Sequence, residues 1–171
     1  MTILSDTFYY EDGVLYWKNC TRANLTGKPA GSVKQPTKRN PGPYVEIRWL
    51  GRTFPAHRII WEMHFGPIET PYEIDHIDGD GLNNRIDNLR LATRQENQRN
   101  VALTASNTTG FKGVSVFRST GKFRADIRYN NKTKYLGQFE TAEEAHFAYV
   151  NAAKKLHGEF YRCDCRYCSH R

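Results

Sequence analysis

The sequence lacks the features of a membrane-spanning or secreted protein. Its 171 residues contain no run of about eighteen apolar residues, the length that a membrane-spanning helix needs. The first residues, MTILSDTFYYEDG, lack a basic region followed by an apolar core, so they do not predict a secretory signal. Only four cysteines occur, and three of them crowd the C-terminus, which is not typical of a disulfide framework. We therefore expect an intracellular protein with no membrane partner.

What is present is the composition of a folded chain with an uneven charge. Apolar residues make up 39% and charged residues 25%, and the length fits one ordinary domain or two small ones. The net charge is +7, but residues 1–104 carry 13 Lys/Arg and 12 Asp/Glu, whereas residues 105–162 carry 10 and 5. This excess predicts a polyanionic partner for the C-terminal third, although a solvated surface would show the same pattern.

The stretch from Glu73 to Asn97, EIDHIDGDGLNNRIDNLRLATRQEN, organises the chain. It predicts a strand over 73–77, a loop rich in Asp, Gly and Asn, and a second strand over 88–92. Thr93 then begins a helix, and Glu96 three residues later completes a capping box.

A hairpin closed by a helix can bring Asp75, His76, Asn88 and Asn97 to one point. These side chains supply a hard oxygen ligand, a base that titrates near neutral pH, an amide that can orient the base, and a second oxygen ligand. Phosphodiester hydrolysis with one divalent cation needs this chemistry. A surface turn beside a hydrogen-bonded histidine is the alternative interpretation.

The segments DHIDGD, NNRIDNLR and TRQEN, in this order and spacing, resemble the HNH nuclease motif of phage and intron homing endonucleases. The resemblance implies that Asp75 and Asn97 bind the metal, Mg²⁺ or Mn²⁺. It also implies that His76 is the general base and that Asn88 holds the His76 ring in place.

Upstream, the pattern predicts two β-hairpins, over 8–18 and 44–55, with a loop rich in glycine, proline and lysine over 19–43. AHRIIWEMHF, residues 56–65, predicts a helix that ends at Gly66. Its histidines are interpreted as packing or surface residues. Arg58 resembles the arginine of a His-Arg pair found upstream of such motifs, which implies a phosphate contact.

From Phe111 onward the pattern changes. FKGVSVF, KFRADIRY and TKYLGQF predict three short strands, and residues 142–156 predict a helix that begins with a second capping box, Thr141 with Glu144. Small residues along this helix favour close packing on a sheet.

In the middle strand of this module, apolar residues alternate with charged ones, so that Arg124 and Arg128 share a face away from the helix. Such a face can lie in the DNA major groove. Arg118 is assigned to the same DNA-contacting set. An ordinary solvated strand face is the alternative.

GVSVFRSTGKFRADIRY and YLGQFETAEEAHFAYVNAAKKLHGEF resemble the DNA-binding domain of ethylene-response factors, the AP-two domain, over about residues 107–162. The resemblance implies that Lys122, Asp126, Arg128 and Tyr135 lie on the DNA face. Ser115 and Phe117 replace two basic residues of that pattern, so the target sequence of the plant proteins is not transferred. Arg124 likewise stands where that pattern has a small residue.

The tail CDCRYCSHR holds Cys163, Cys165, Cys168 and His170, which are ligand types that suit Zn²⁺. Their spacing is tighter than that of paired zinc knuckles, and a frayed tail with free thiols is the alternative.

Together these patterns predict an α+β protein: N-terminal β-hairpins with a ββα-metal nuclease core, then a three-stranded antiparallel sheet packed on one helix. The predicted function is a site-directed, metal-dependent HNH endonuclease of a phage or mobile element, which acts on double-stranded DNA in a bacterium or infected host without a small-molecule cofactor. Alternatives are a non-catalytic DNA-binding regulator that kept the fold and a non-specific nuclease. The predicted segments are a nuclease domain, a linker, a DNA-binding domain and a Cys-rich tail, at 1–103, 104–110, 111–162 and 163–171.

Overall fold

The computed structural model of the chain describes residues 2–20, 23–37, 42–98, 103 and 107–161. The chain forms two compact units, Met1–Asn97 and Gln98–Arg171. The candidate Zn²⁺ ligands of the tail, Cys163, Cys165, Cys168 and His170, lie outside the described residues. No helix in the described part of the chain is long and apolar enough to cross a membrane.

The first unit opens with a helix and a hairpin. Helix α1, Thr2–Thr7, leads directly into β1, Phe8–Glu11, which pairs antiparallel with β2, Val14–Trp17. The turn between them is Asp12-Gly13, where both residues have positive φ, as a tight two-residue turn requires. The predicted hairpin is confirmed, whereas α1 was not predicted.

A three-stranded sheet follows. Strands β4, Tyr44–Trp49, and β5, Arg52–Pro55, form the predicted second hairpin with the predicted bounds. Strand β3, Ser32–Lys34, pairs with β4 from within the segment that was predicted to be loop. Its three residues are exposed, so no alternation of apolar and polar residues could have revealed it.

Helix α2, Ala56–Phe65, follows β5 without a break and ends at Gly66, whose φ is 87°. After it, β6, Tyr72–His76, pairs antiparallel with β7, Leu89–Thr93, and helix α3, Arg94–Asn97, comes next. Asn88 was predicted in the second strand but ends a 3-10 turn, Ile86–Asn88, just before it.

The core of the first unit joins α2 to strands that precede and follow it in the sequence. Ile59 and Ile60 of α2 share this core with Ile74 of β6 and Leu89 of β7, so α2 packs against the β6–β7 hairpin. The remaining buried members of this core are Phe8, Leu15 and Ile47 of the upstream strands, Ala30 of the connection before β3, and Ala56 at the start of α2.

The second unit is a sheet covered by one helix. Strands β8, Val114–Val116, β9, Phe123–Tyr129, and β10, Lys132–Phe139, are antiparallel in the order β10-β9-β8. Helix α4, Ala142–His157, begins with the predicted capping box and lies on the apolar face of the sheet. A 3-10 turn, Gly158–Phe160, follows it.

The small residues along α4 predict an inner stripe of Ala145, Ala148, Ala152 and Leu156, and the buried face of the helix is rotated from it. Ala148 and Ala152 are only half-buried, and the buried positions instead include His146, Tyr149 and Ala153. A side chain added at Gly113 would come within 2.0 Å of the Tyr149 ring, so this ring lies directly against the chain before β8.

The described structure is α+β, with small antiparallel sheets and few helices, and this fold class is the predicted one.

Candidate functional site

The loop between β6 and β7 is held together by the carboxylate of Asp78. It accepts hydrogen bonds from the backbone N–H of Asp80 (2.8 Å) and from the amides of Asn83 (2.7 Å) and Asn88 (2.9 Å). Partial burial works against the charged form, but these bonds outweigh it and lower the pKa of Asp78. The loop therefore carries a fixed negative charge at neutral pH.

Asn88 closes this loop from the other side. Its Oδ1 accepts from the backbone N–H of Asp78 (3.1 Å), and its Nδ2 donates to Asp78 Oδ1 and to the backbone oxygen of Asn83 (2.8 Å). These contacts join the Asn88 side chain to the loop that follows Ile77, and the Asn88 backbone pairs with Ile77 (2.9 Å). That Asn88 holds the His76 ring in place stays a prediction.

A hydrogen bond to the imidazole comes from Asn84, a residue of the same loop. Asn84 Oδ1 lies 2.9 Å from His76 Nε2, and the Asn84 side chain is almost fully buried, with 3% of the residue exposed. Sequence reasoning missed this residue, because the loop holds several asparagines and aspartates that look alike without their burial.

His57 of α2 packs against the same ring. The two imidazoles are perpendicular, with centroids 5.0 Å apart. Burial, followed by the nearby His76 and Arg58, lowers the pKa of His57 to about 3, so it is neutral at pH 7. Its Nδ1 is buried and has no hydrogen-bond partner among the described residues. We call His76, Asn84 and His57 the His76 cluster.

Asp75 faces a different neighbour. It lies directly opposite Arg90 across the hairpin, and its Oδ2 accepts from Arg90 Nε (2.9 Å) and Nη2 (2.7 Å). Only 4% of Asp75 is exposed, and a buried carboxylate needs such a partner. Nothing in the sequence pattern had singled out Arg90.

Asn97 is tied to the strand that carries Asp75. Its Nδ2 donates to Glu73 Oε2 (3.2 Å), and the capping box of Thr93 and Glu96 fixes the start of its short helix. Glu73 and Asp75 are two residues apart on β6, so they share a face of the strand. Asn97 and Asp75 therefore lie on the same side of the hairpin. We call Asp75, Arg90, Glu73 and Asn97 the Asp75 cluster.

The four residues predicted for the site thus enter different sets of contacts. Asp75 and Asn97 belong to the Asp75 cluster, His76 lies in the His76 cluster, and Asn88 fixes the loop that joins β6 to β7. No group of three or more His, Cys, Asp or Glu side chains with metal-site geometry occurs in the described ranges. Asp75 and Asn97 are the oxygen donors of the predicted site that could hold a cation.

Comparison with known proteins identifies the segment that builds both clusters. Residues 54–99 match the family model of the HNH endonucleases. A second match covers more of the chain: protein 3.8 of Escherichia phage T7 is 38% identical over 106 residues, 62% of this chain and 87% of that protein. The chain belongs to the HNH endonuclease family. Membership indicates a nuclease of the HNH type and implies a DNA substrate, and such nucleases typically use divalent metals.

A further relative is an uncharacterized HNH endonuclease of Acanthamoeba polyphaga mimivirus, 36% identical over 105 residues, 61% of this chain. The chain spans 54% of that relative's length. No solved structure is significantly similar to the chain.

The second unit presents its charged residues on the sheet face opposite α4. Arg124 Nε lies 2.7 Å from Asp126 Oδ2, and the Arg124 guanidinium lies 5.1 Å from the centre of the Tyr135 ring. Lys122 forms an ion pair with Glu140. These two predicted DNA contacts are therefore partly neutralised by acidic neighbours.

Two other predicted DNA contacts on this unit carry unbalanced charge. Arg118 and Arg128 are exposed and have no acidic partner among the described residues. A pocket of about 380 Å³ lies on the same face. It is lined by Phe117, Arg124, Tyr135 and Gln138.

The predicted DNA contact of the first unit is Arg58. It is exposed on α2, next to His57 of the His76 cluster.

Proposed function

We propose that this HNH-family protein is a site-directed DNA endonuclease that hydrolyses phosphodiester bonds at the β6–β7 hairpin with one divalent cation. The observation that carries the proposal is the environment of His76. The imidazole ends β6, is hydrogen-bonded through Nε2 to a buried amide and is backed by a neutral ring. A base held in this way, inside the segment that matches the HNH family, is suited to accept a proton from water.

The donor chemistry of the Asp75 cluster fits a hard cation such as Mg²⁺ or Mn²⁺. The Asn97 amide nitrogen donates to Glu73. The Asn97 amide oxygen has no hydrogen-bond partner among the described residues. The carboxylate of Asp75 is fixed by Arg90 through Oδ2. Mg²⁺ keeps several waters and binds phosphate oxygens, so one carboxylate and one amide oxygen from the protein are sufficient. Asp75 and Asn97 would hold the cation.

In the proposed reaction, His76 takes a proton from the water that attacks the scissile phosphorus. Asn88 holds the loop after His76 through Asp78, and Arg90 keeps the Asp75 carboxylate in place. When bound, the divalent cation supplies electrostatic stabilisation of the leaving 3′-oxygen and of the charge that develops on the phosphate.

The second unit is proposed to recognise DNA through the open face of its sheet, in the manner of an AP-two type domain. Support comes from the exposed side chains of Arg118 and Arg128 and from the Tyr135 ring, which is 55% exposed. The helix covers the other face of this sheet. Arg58 is proposed as a phosphate contact of the nuclease unit.

A homing or mobile-element role is part of the proposal. Its support is the viral source of both relatives and the presence of a second, basic unit in addition to the nuclease unit. A dedicated recognition unit also favours site-directed cleavage over non-specific cleavage.

Incubation of the purified protein with supercoiled plasmid and Mg²⁺, followed by separation of nicked and linear products, tests the proposal. We expect cleavage that stops in excess chelator and in His76→Ala. DNA binding without cleavage by the wild-type protein would refute the enzyme and favour the non-catalytic regulator. Cleavage scattered over the whole plasmid would favour the non-specific nuclease.

A further inference from the structure

The proton on the His76 imidazole can be located from its neighbour. The oxygen of a carboxamide only accepts hydrogen bonds, so the 2.9 Å contact to Asn84 Oδ1 requires a hydrogen on His76 Nε2. The Asn84 nitrogen in turn points to the backbone oxygen of Leu82 (3.4 Å), which supports this orientation of the amide. In a neutral imidazole with its hydrogen on Nε2, the basic lone pair is on Nδ1.

The Asn84 segment is itself held from outside the β6–β7 hairpin. The Tyr10 hydroxyl, on β1, accepts a hydrogen bond from the backbone N–H of Ile86 (3.0 Å), two residues beyond Asn84. Arg85 forms an ion pair with Asp12 in the β1–β2 turn.

The same turn comes so close that a side chain at Gly13 would lie 3.1 Å from the backbone nitrogen of Arg85. Gly13 also has a φ of 89°, so a glycine there serves both the turn and the close approach. The N-terminal hairpin therefore lies directly against the residues that follow Asn84.

We propose that Asn84 is a positioning residue that fixes the tautomer and orientation of His76, and that the β1–β2 hairpin holds Asn84 in place through Tyr10. His57 also packs edge-to-face against the His76 ring. The effect of Asn84 on cleavage rests on the proposed function, whereas the tautomer does not.

The first test measures the tautomer directly. In protein labelled with ¹⁵N at histidine, at about pH 8 where free imidazole is neutral, the protonated and bare ring nitrogens have well-separated chemical shifts. The His76 signals are assigned by their loss in His76→Ala. We expect a hydrogen on Nε2 in the wild-type protein, and a hydrogen on Nδ1 would overturn the proposal.

Two substitutions at Asn84 then separate positioning from packing. Asn84→Leu keeps the approximate size but removes the acceptor, so we expect a mixture of tautomers at His76. Asn84→Asp keeps an acceptor and should retain the wild-type tautomer. For cleavage, Asn84→Leu should lower kcat by about 10- to 100-fold, the usual cost of losing the outer partner of a functional histidine, with KM nearly unchanged. An unchanged His76 spectrum in a folded Asn84→Leu protein would refute the role of Asn84.

The role of the β1–β2 hairpin is tested by a substitution that does not touch the His76 ring. This test remains possible if Asn84→Leu does not fold. Tyr10→Phe removes only the hydroxyl that accepts from Ile86 and keeps the ring that packs against His64. Loss of one neutral hydrogen bond should lower kcat by roughly 2- to 10-fold and broaden the His76 signals.

Tyr9→Phe is the matched control, because the Tyr9 ring stacks on Tyr16 and its hydroxyl has no hydrogen-bond partner in the described part of the chain. If Tyr10→Phe and Tyr9→Phe have the same kcat and the same His76 spectrum, the β1–β2 hairpin does not hold Asn84 in place through Tyr10. The spectra need no catalysis, so the two proposals fail separately. A protein that cleaves no DNA but keeps the Nε2 hydrogen refutes the proposed function and leaves Asn84 as a positioning residue.

Discussion

The two units of this protein use their polar side chains in opposite ways. Around the β6–β7 hairpin the important groups are buried and bonded to one another: Asn84 is 3% exposed and Asp75 is 4% exposed. On the sheet of the second unit, Arg118 and Arg128 stand in solvent without acidic partners among the described residues. Buried polar groups fix geometry, whereas exposed cations attract a polyanion. In the proposed function, the first unit therefore carries the chemistry and the second supplies most of the affinity for DNA.

The largest effect on cleavage should come from removal of the His76 ring in the first unit. His76→Ala should lower the cleavage rate by about two to four orders of magnitude, the usual contribution of a general base. Affinity for DNA should barely change, because the exposed cations remain. Rate and affinity are measured on the same DNA by single-turnover cleavage and by binding in chelator. A near wild-type rate would mean that His76 is not the base.

The cation ligands should give the next largest effect. Asn97→Ala should raise the Mg²⁺ concentration needed for half-maximal cleavage, by roughly 10- to 100-fold if it loses a direct ligand. Asp75→Asn should do the same but should also cost about 3–5 kcal/mol of stability, because it leaves the buried Arg90 without its charge partner. Mg²⁺ titration and urea unfolding separate the two effects. Full cleavage in excess chelator would exclude the cation.

The second unit should dominate the salt dependence of binding. Removing Arg118 and Arg128 together should flatten the slope of log affinity against log salt by about 0.9 for each lost phosphate contact. Removing Arg48 and Arg52, two exposed cations of the first unit, is the matched control and should change the slope less. Equal changes would show that the first unit, with its lysine-rich loop, shares the binding.

The smallest effect concerns the stability of the fold at acid pH. Each unit contains a histidine whose pKa is lowered by burial. Burial lowers the pKa of His57 in the first unit to about 3, and it lowers the pKa of His146 in the second against an opposing bond to the Lys112 backbone. The unfolded chain binds a proton at each site from about pH 6.5 downward, where the folded chain does not. Stability should therefore be constant above that pH and fall below it, down to about pH 3 for His57.

This expectation is checked by urea unfolding between about pH 7 and pH 5. His57→Leu and His146→Leu should each lose less stability over this interval than the wild-type protein. A variant with the wild-type pH dependence would show that its histidine does not contribute.

Several elements were predictable because their determinants are local. The capping box of Thr141 and Glu144, the Asp12-Gly13 turn and the end of α2 at Gly66 each depend on residues within one turn of chain. Strand β3 was missed because its exposed residues carry no pattern, and it exists only through pairing with β4.

For the candidate site, the sequence by itself determined which segment carries the chemistry, because the DHIDGD, NNRIDNLR and TRQEN segments fix the order of ligand and base types. Only the tertiary structure decided which side chains touch. It placed Asn84 on the His76 ring, Asn88 on the loop, and Arg90 on Asp75. The reason is that several chemically similar amides and carboxylates lie within a few residues of one another. Burial by α2 and the close approach of the β1–β2 hairpin, encoded about seventy residues upstream, select among them.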